Sequence, residues 1–108
     1  MEKYKAAFIV PKGAEKKLED VGWEFRSSSY ISKEIREHFI EELNLSLIES
    51  DLGIDRYENH NIKMSVVLSE TKEIENIYFQ LKNDSLSKLK MVFQIGDISE
   101  QCELFVPE

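Results

Sequence analysis

The stretch 62–69, Ile-Lys-Met-Ser-Val-Val-Leu-Ser, decides the fold that the sequence predicts. Apolar side chains occupy every second position from Ile62 to Leu68, and mostly polar ones fill the positions between them. Successive side chains of a β-strand point to opposite faces of a sheet. This period of two therefore predicts a strand with one face in the core and the other in water.

The same alternation recurs in three later runs, at 77–82, 88–95 and 102–106. Polar turn residues separate the runs, at 70–72, 83–85 and 96–97, and loops this short join antiparallel neighbours. The pattern therefore predicts a four-stranded antiparallel meander over about 62–106. Residues 71–81 also fit a helix, but the β-branched Ile74 and Ile77 and the aromatic Tyr78 and Phe79 favour a strand.

The first half of the chain predicts one strand followed mainly by helices. Residues 3–10 are expected to form a strand, 14–21 a short helix that stops at Gly22, and 23–25 a brief extended piece. Ser32 then caps a longer helix whose apolar residues recur every four positions. These residues are Ile31, Ile35, Phe39, Leu43 and Leu47. The helix either runs on to Gly53 or breaks at Asn44, after which 46–49 resembles a capping box that starts a second short helix.

The expected fold class is therefore α+β, with the N-terminal strand and the helices packed on one face of the C-terminal four-stranded antiparallel meander. A length of 108 residues suits one domain with one core. We expect a single domain over 1–108, with its helical part at about 13–53 and its sheet at about 62–106.

Acidic residues are concentrated in one window of the sequence. The chain has 21 acids and 14 bases, for a net charge of −7, yet no Lys or Arg lies between Glu37 and Asp55. Six acids lie there: Glu37, Glu41, Glu42, Glu49, Asp51 and Asp55. Local negative charge attracts a basic partner and repels nucleic-acid phosphates, so the window predicts a protein-binding surface and no direct contact with nucleic acid. A solvated helix face without a partner is the alternative interpretation.

Two further residues complete the predicted binding surface. Projected as one helix, the window places Leu45 among the carboxylates, as an apolar anchor surrounded by charge. A helix that breaks at Asn44 would instead place Leu45 in the core. Tyr57 is added as a contact residue, because tyrosine is enriched at interfaces.

The sequence thus predicts a small acidic, non-catalytic protein that inhibits or neutralises a basic protein partner. The most concrete partner is a toxin nuclease or another nucleic-acid-handling effector. Immunity proteins of toxins and antitoxin-like nuclease inhibitors share this small, acidic character. A second hypothesis is a structural or adaptor module that oligomerises through a sheet edge, for example as a homodimer. A third is a carboxylate- or metal-dependent enzyme. No cofactor and no catalytic residue are expected.

Other reactive residues form weaker patterns. The segment from Asp51 fails the spacing of a calcium loop, because its third position is Gly53 and its sixth is Arg56. His38 lies one helical turn from carboxylates but is expected to be an ordinary surface histidine, and no metal site is predicted. The single cysteine, Cys102, is expected to be a buried strand residue. No apolar run has the length of a membrane helix or a secretory signal, which predicts a cytoplasmic protein without membrane contact.

Overall fold

A computed structural model describes residues 4–82 and 84–107 of the chain. The protein is mostly β, with 47% strand and 22% helix. The strands are β1 (Lys5–Pro11), β2 (Glu15–Glu19), β3 (Gly22–Arg26), β4 (Ser46–Asp51), β5 (Ile54–Glu58), β6 (Ile62–Leu68), β7 (Ile74–Leu81) and β8 (Cys102–Phe105). The helices are α1 (Lys33–Glu42), α2 (Ser85–Phe93) and α3 (Ile98–Gln101).

Six of the strands form one antiparallel sheet in the order β4-β5-β6-β7-β1-β8. The register pairs Tyr57 with Met64, Met64 with Phe79, and Phe79 with Ala7. Residues directly opposite each other in an antiparallel pair share a face, so these four side chains mark one face of the sheet. Strands β2 and β3 form a separate hairpin.

The core lies between that face and the helices. Ile35, Phe39 and Leu43 of the α1 region are buried, and the rings of Phe39 and Phe79 are 5.4 Å apart in an edge-to-face arrangement. Helix α2 adds Leu89 and Val92 to the same cluster. This face of the sheet therefore holds the main hydrophobic core.

The β2–β3 hairpin covers part of the opposite face. The ring centroids of Phe25 and Phe8 of β1 are 4.9 Å apart, and those of Trp23 and Phe105 of β8 are 4.7 Å apart. Phe8 also stacks on Tyr78 of β7 at 4.8 Å. Aromatic pairs at these separations stabilise a contact beyond their buried area, so the hairpin is held over β7, β1 and β8.

The expected α+β fold, with helices on one face of a C-terminal meander, is wrong. Residues 13–53 were expected to be helical but contain the strands β2, β3 and β4 as well as α1. In the expected helix at 14–21, Gly22 does not end a helix. It has φ +124° and begins β3 after a two-residue turn. The aromatic contacts of Trp23 and Phe25 with distant strands outweigh the local helix preference of β2.

The expected meander over 62–106 is also wrong. Strands β6, β7 and β8 lie close to three of its four strands, but the run at 88–95 is mostly helix α2. Its Leu89 and Val92 are buried while Met91 is 68% exposed, which is the spacing of a helix face rather than of a strand. In addition, β1 lies between β7 and β8, so β8 is not a neighbour of the strand before it. Residue 3 of the first expected strand and Asn83 of an expected turn lie outside the described residues.

Helix α1 ends in a complete C-terminal capping motif. Asn44 adopts a left-handed conformation with φ +53° and donates its N–H to the carbonyl of Glu41, at 3.2 Å. The N–H of Leu45 donates to the carbonyl of Ile40, at 2.9 Å. These two bonds define a Schellman motif, whose left-handed position accepts Gly or Asn most readily. The helix therefore stops at Asn44, and the expected second helix at 46–49 is instead strand β4. Within the described residues, no helix combines the length and the apolar character needed to cross a bilayer.

Candidate partner-binding edge

Strand β4 is an outer strand of the six-stranded sheet, and all six of its residues are exposed. It pairs with β5 on one side, and no strand among the described residues lies on its other side. An outer strand presents unpaired backbone N–H and C=O groups that can bind another chain. Strand β4 thus provides a free edge within the acidic window.

The turn that joins β4 to β5 places a leucine in water. Leu52 and Gly53 both have positive φ, at +50° and +77°, as a type I′ hairpin turn requires. This turn favours Asn or Asp at its first central position, because a left-handed conformation costs most other residues about 1–2 kcal/mol. Leu52 bears this conformation while 92% exposed. The residue gains nothing from burial within the chain, which makes it a candidate contact residue.

Two more exposed apolar side chains lie along β4. Leu47 is 58% exposed and Ile48 is 55% exposed, and the register of the β4–β5 pair shifts between Leu47 and Glu49. This β-bulge inserts Ile48 as an extra residue and increases the local twist of the edge. Together with Leu52 at the turn, they form what we call the apolar edge: Leu47, Ile48 and Leu52. The sequence pattern had assigned Leu47 to the buried stripe of a helix, and Leu47 and Ile48 lie on a strand instead.

The acids of the window are distributed over both α1 and the β4–β5 pair. Two carboxylates are neutralised in part, since Arg36 lies 2.9 Å from Glu37 and Arg56 lies 3.1 Å from Glu49. The remaining four have no Lys, Arg or His within 4.0 Å among residues 4–82 and 84–107. These are Glu41, Glu42, Asp51 and Asp55. Four of the six acids therefore have no basic neighbour among the described residues, and the six are divided between α1 and the β4–β5 pair instead of lying on the single helical face that the sequence predicted.

Tyr57 links the helix to the edge strands. It is half-buried, lies opposite Leu47 in the β4–β5 register, and interacts electrostatically with residues of both α1 and β5. Burial raises the pKa of Tyr57 above its usual value. The charge of Arg36 opposes this rise in pKa, and the carboxylates of Asp55 and Glu37 add to it. The phenol therefore stays protonated at neutral pH and can donate a hydrogen bond to a partner.

Leu45 does not lie on this surface. It is only 7% exposed and belongs to the hydrophobic core, because the capping motif at Asn44 turns the chain inward. The same end of α1 is tied to the sheet by Asn59, whose side-chain N–H donates to the carbonyl of Leu43 at 2.7 Å. Leu45 is therefore not available as the apolar anchor that the sequence predicted, and the exposed apolar side chains of the window are those of the apolar edge. The β-hairpin with Gly53 in its turn is the signal that could have revealed those residues.

Neither of two sizeable grooves contains an acid of the window. One groove of about 440 Å³ is lined in part by Lys12, Lys90 and Phe93. Another of about 420 Å³ lies beside the hairpin and includes Trp23 and Tyr78. The candidate surface is instead an exposed strand and helix, which suits a macromolecule better than an enclosed small substrate.

The remaining reactive residues show ordinary structural roles. Cys102 is buried, as expected, and burial raises the pKa of its thiol to about 11, so it is a weak nucleophile at neutral pH. His38 lies with its Nε2 3.4 Å from the carbonyl oxygen of Val92 in α2. Asp51 and Asp55 flank a tight hairpin turn rather than a calcium loop. In the described ranges, no group of three or more His, Cys, Asp or Glu residues is placed to hold a metal ion.

No protein-family model matches this chain, and comparisons with curated proteins and with solved structures found no significant match.

Proposed function

We propose that this chain is a non-catalytic acidic binding protein that inhibits or neutralises a basic protein partner. One observation carries the proposal: the free edge strand β4 bears exposed apolar side chains, and four acids on α1, β4 and β5 have no basic neighbour among the described residues. Charge and apolar surface at the same place are the two components of a protein interface. We define the acidic edge as β4, its turn to β5, and the acids Glu37, Glu41, Glu42 and Asp55.

The two components have different tasks. An exposed ion pair contributes about 0.2–1 kcal/mol, so the carboxylates mainly speed association and select a basic partner. Full burial of a leucine or isoleucine side chain contributes about 1.5–3 kcal/mol. The apolar edge therefore supplies most of the affinity, with Tyr57 beside it as a rigid contact.

The partner class follows from the charge. Nucleases and other nucleic-acid-handling proteins bear basic surfaces for phosphate binding, and clustered carboxylates can occupy such a surface in place of phosphates. We therefore propose a toxin nuclease or a similar effector as the partner, as for immunity proteins and antitoxins, and a cytoplasmic site of action. Direct binding to nucleic acid is not part of this proposal, because phosphates repel the acidic edge.

The experiment measures inhibition of a nuclease. Each basic protein encoded beside the gene of this chain is purified, and its nuclease activity is measured with and without an equimolar amount of the chain. We expect one of them to lose its activity, with an association rate that falls as salt rises. If none is inhibited, the proposal is wrong.

A matched pair of charge reversals tests the surface. The triple variant Glu41→Lys, Glu42→Lys, Glu49→Lys should slow association about tenfold or more at low salt. A control triple variant changes the net charge equally on exposed residues of β2, the hairpin turn and α3: Glu15→Lys, Asp20→Lys and Glu100→Lys. Equal association rates for the two triple variants would show that the acidic edge is not the contact surface.

A further inference from the structure

We infer that β4 binds an extended basic segment of the partner, which joins the sheet as a seventh strand. This inference rests on the proposed function and names the way in which the acidic edge recognises its partner. Strand addition combines backbone hydrogen bonds, which supply affinity, with alternating side-chain contacts, which supply specificity. Strand β4 has six residues and so offers about 20 Å of edge.

The register shows which backbone groups are free. Asp51 and Ile54 are the pair that closes the two-residue hairpin turn, and Ser50 lies opposite Asp55 in the next pair. Hydrogen-bonded and non-hydrogen-bonded pairs alternate along an antiparallel ladder. The pair that closes a two-residue turn is hydrogen-bonded, so the N–H and C=O of Ser50 point away from β5. They are available to an added strand.

The two faces of the edge differ in chemistry. Glu49 lies opposite Arg56 and Asp51 opposite Ile54, on the side of the sheet that bears the hairpin. Leu47 lies opposite Tyr57, on the side that bears α1. An added strand would place alternate side chains on these two faces. Ser50 and Asp55 also lie on the α1 side, so the complementary segment bears basic residues on the hairpin side and an apolar residue next to Leu47 on the α1 side.

A second copy of this chain is a poor occupant of the same edge. Pairing of β4 with another β4 would bring two copies of Glu49 and two of Asp51 together. The only base that the structure shows beside them, among the described residues, is Arg56, which already pairs with Glu49. Like charges across neighbouring strands are destabilising. Edges are often protected from self-pairing by charged side chains, and acids do so without excluding a basic segment.

The test separates backbone pairing from charge. The probe is a ten-residue peptide that alternates Lys with Val, and the comparison peptide has the same sequence with every backbone amide N-methylated. Both have the same charge, but only the first can donate hydrogen bonds to β4. We expect the first to bind about tenfold or more tightly at low salt, since several backbone hydrogen bonds are lost with the second. Amide shifts and hydrogen-exchange protection at Ser46–Asp51 should report its binding.

Two variants of one residue provide the control within the protein. Ser50→Pro removes the N–H of Ser50 that faces away from β5 and places the proline ring where the added strand would lie, so it should weaken binding of the first peptide and reduce the difference between the two peptides. Ser50→Ala removes the same hydroxyl but keeps the N–H, and should preserve the difference. Proline is accepted on an outer strand where the N–H faces solvent, and circular dichroism checks that the variant folds. The peptide comparison stands without this variant.

Each remaining result would overturn the inference. Equal binding of the two peptides, lost in the Glu41, Glu42 and Glu49 triple variant, would leave the acidic edge intact as a charged surface but exclude strand addition. Binding of neither peptide would exclude it as well. A dimer in solution that is broken by Ser50→Pro would show that a second copy occupies the edge. Failure of the nuclease assay, in contrast, would overturn the proposed function without depending on these peptides.

Discussion

The substitution Leu52→Asn should stabilise the fold while weakening partner binding. Leu52 has φ +50° at the first central position of the type I′ turn, where it is 92% exposed. A left-handed conformation costs an ordinary L-residue about 1–2 kcal/mol, and Asn bears much less of this cost. Because the leucine side chain has almost no buried area to lose, we expect a gain of about 1 kcal/mol in the free energy of unfolding. For a domain of this size, that gain raises the melting temperature by roughly 4–8 °C.

The assay is thermal and urea unfolding of the wild type and three variants. Leu52→Ala also removes the apolar side chain, but alanine is strained at positive φ as leucine is. The free energy of unfolding of this variant should therefore stay within about 0.5 kcal/mol of the wild type. Gly53→Ala should destabilise, since Gly53 has φ +77° and its added Cβ would lie 3.4 Å from the carbonyl oxygen of Leu68. Both Leu52 variants should bind the partner less tightly, because each removes the apolar side chain.

The comparison of Leu52→Asn with Leu52→Ala decides the argument. If the two have the same stability, the strain assigned to the turn does not exist. If Leu52→Asn is more stable but binds the partner as tightly as the wild type, the strain is real and Leu52 is not a contact residue. Only a gain in stability together with a loss in affinity agrees with the role assigned to the apolar edge.

Three other predictions concern the end of α1, the Asn59 contacts beside it, and the buried thiol of β8. Asn44→Val should destabilise by about 1 kcal/mol in urea unfolding, because a β-branched residue disfavours the φ of +53° that ends α1. Asn59→Ala should cost about 1–3 kcal/mol, since the Asn59 side chain donates to the carbonyl of Leu43 and accepts from two backbone N–H groups at 2.8 Å. Equal stability of that variant and the wild type would remove Asn59 from the support of the helix end. The thiol pKa of Cys102 rises from 9.0 to about 11 on folding, so the folded state holds a proton that the unfolded state releases. Stability should therefore fall as pH rises from about 9 to 11, and less so in Cys102→Ala, which unfolding measured across that range would show.

The period-two pattern located some strands correctly but not all of its runs, since the run at 88–95 is mostly helix α2. Strands β6 and β7 were predicted from their period of two, and the buried residues Ile35, Phe39 and Leu43 from their spacing of four. These patterns report a local face that one core buries. The sequence cannot show that β1 enters between β7 and β8, because that placement depends on contacts between distant segments.

The errors arose where one pattern fits two structures. Leu47 continues the spacing of four that runs through α1, yet the chain turns at Asn44 and Leu47 lies on β4. Asn44 was recognised as a possible break, but its capping bonds involve only backbone atoms and leave no other mark on the sequence. Leu89 and Val92 lie within an alternating run and are also three residues apart, as on one face of a helix. In the structure they are buried on one face of helix α2. Short apolar runs are ambiguous in this way.

Because Leu47 fits both a helix stripe and a strand, the sequence did not predict the apolar edge. A helix would have buried Leu47 and given the window one acidic face, whereas the strand exposes Leu47 and Ile48 beside the acids. The left-handed Leu52 could be replaced by Asn, which suits that turn position better. An unfavourable backbone conformation that no contact within the chain compensates indicates a requirement outside the isolated fold. A partner that buries the apolar edge would compensate the strain at Leu52. The contact with a partner should therefore be sought at β4 first.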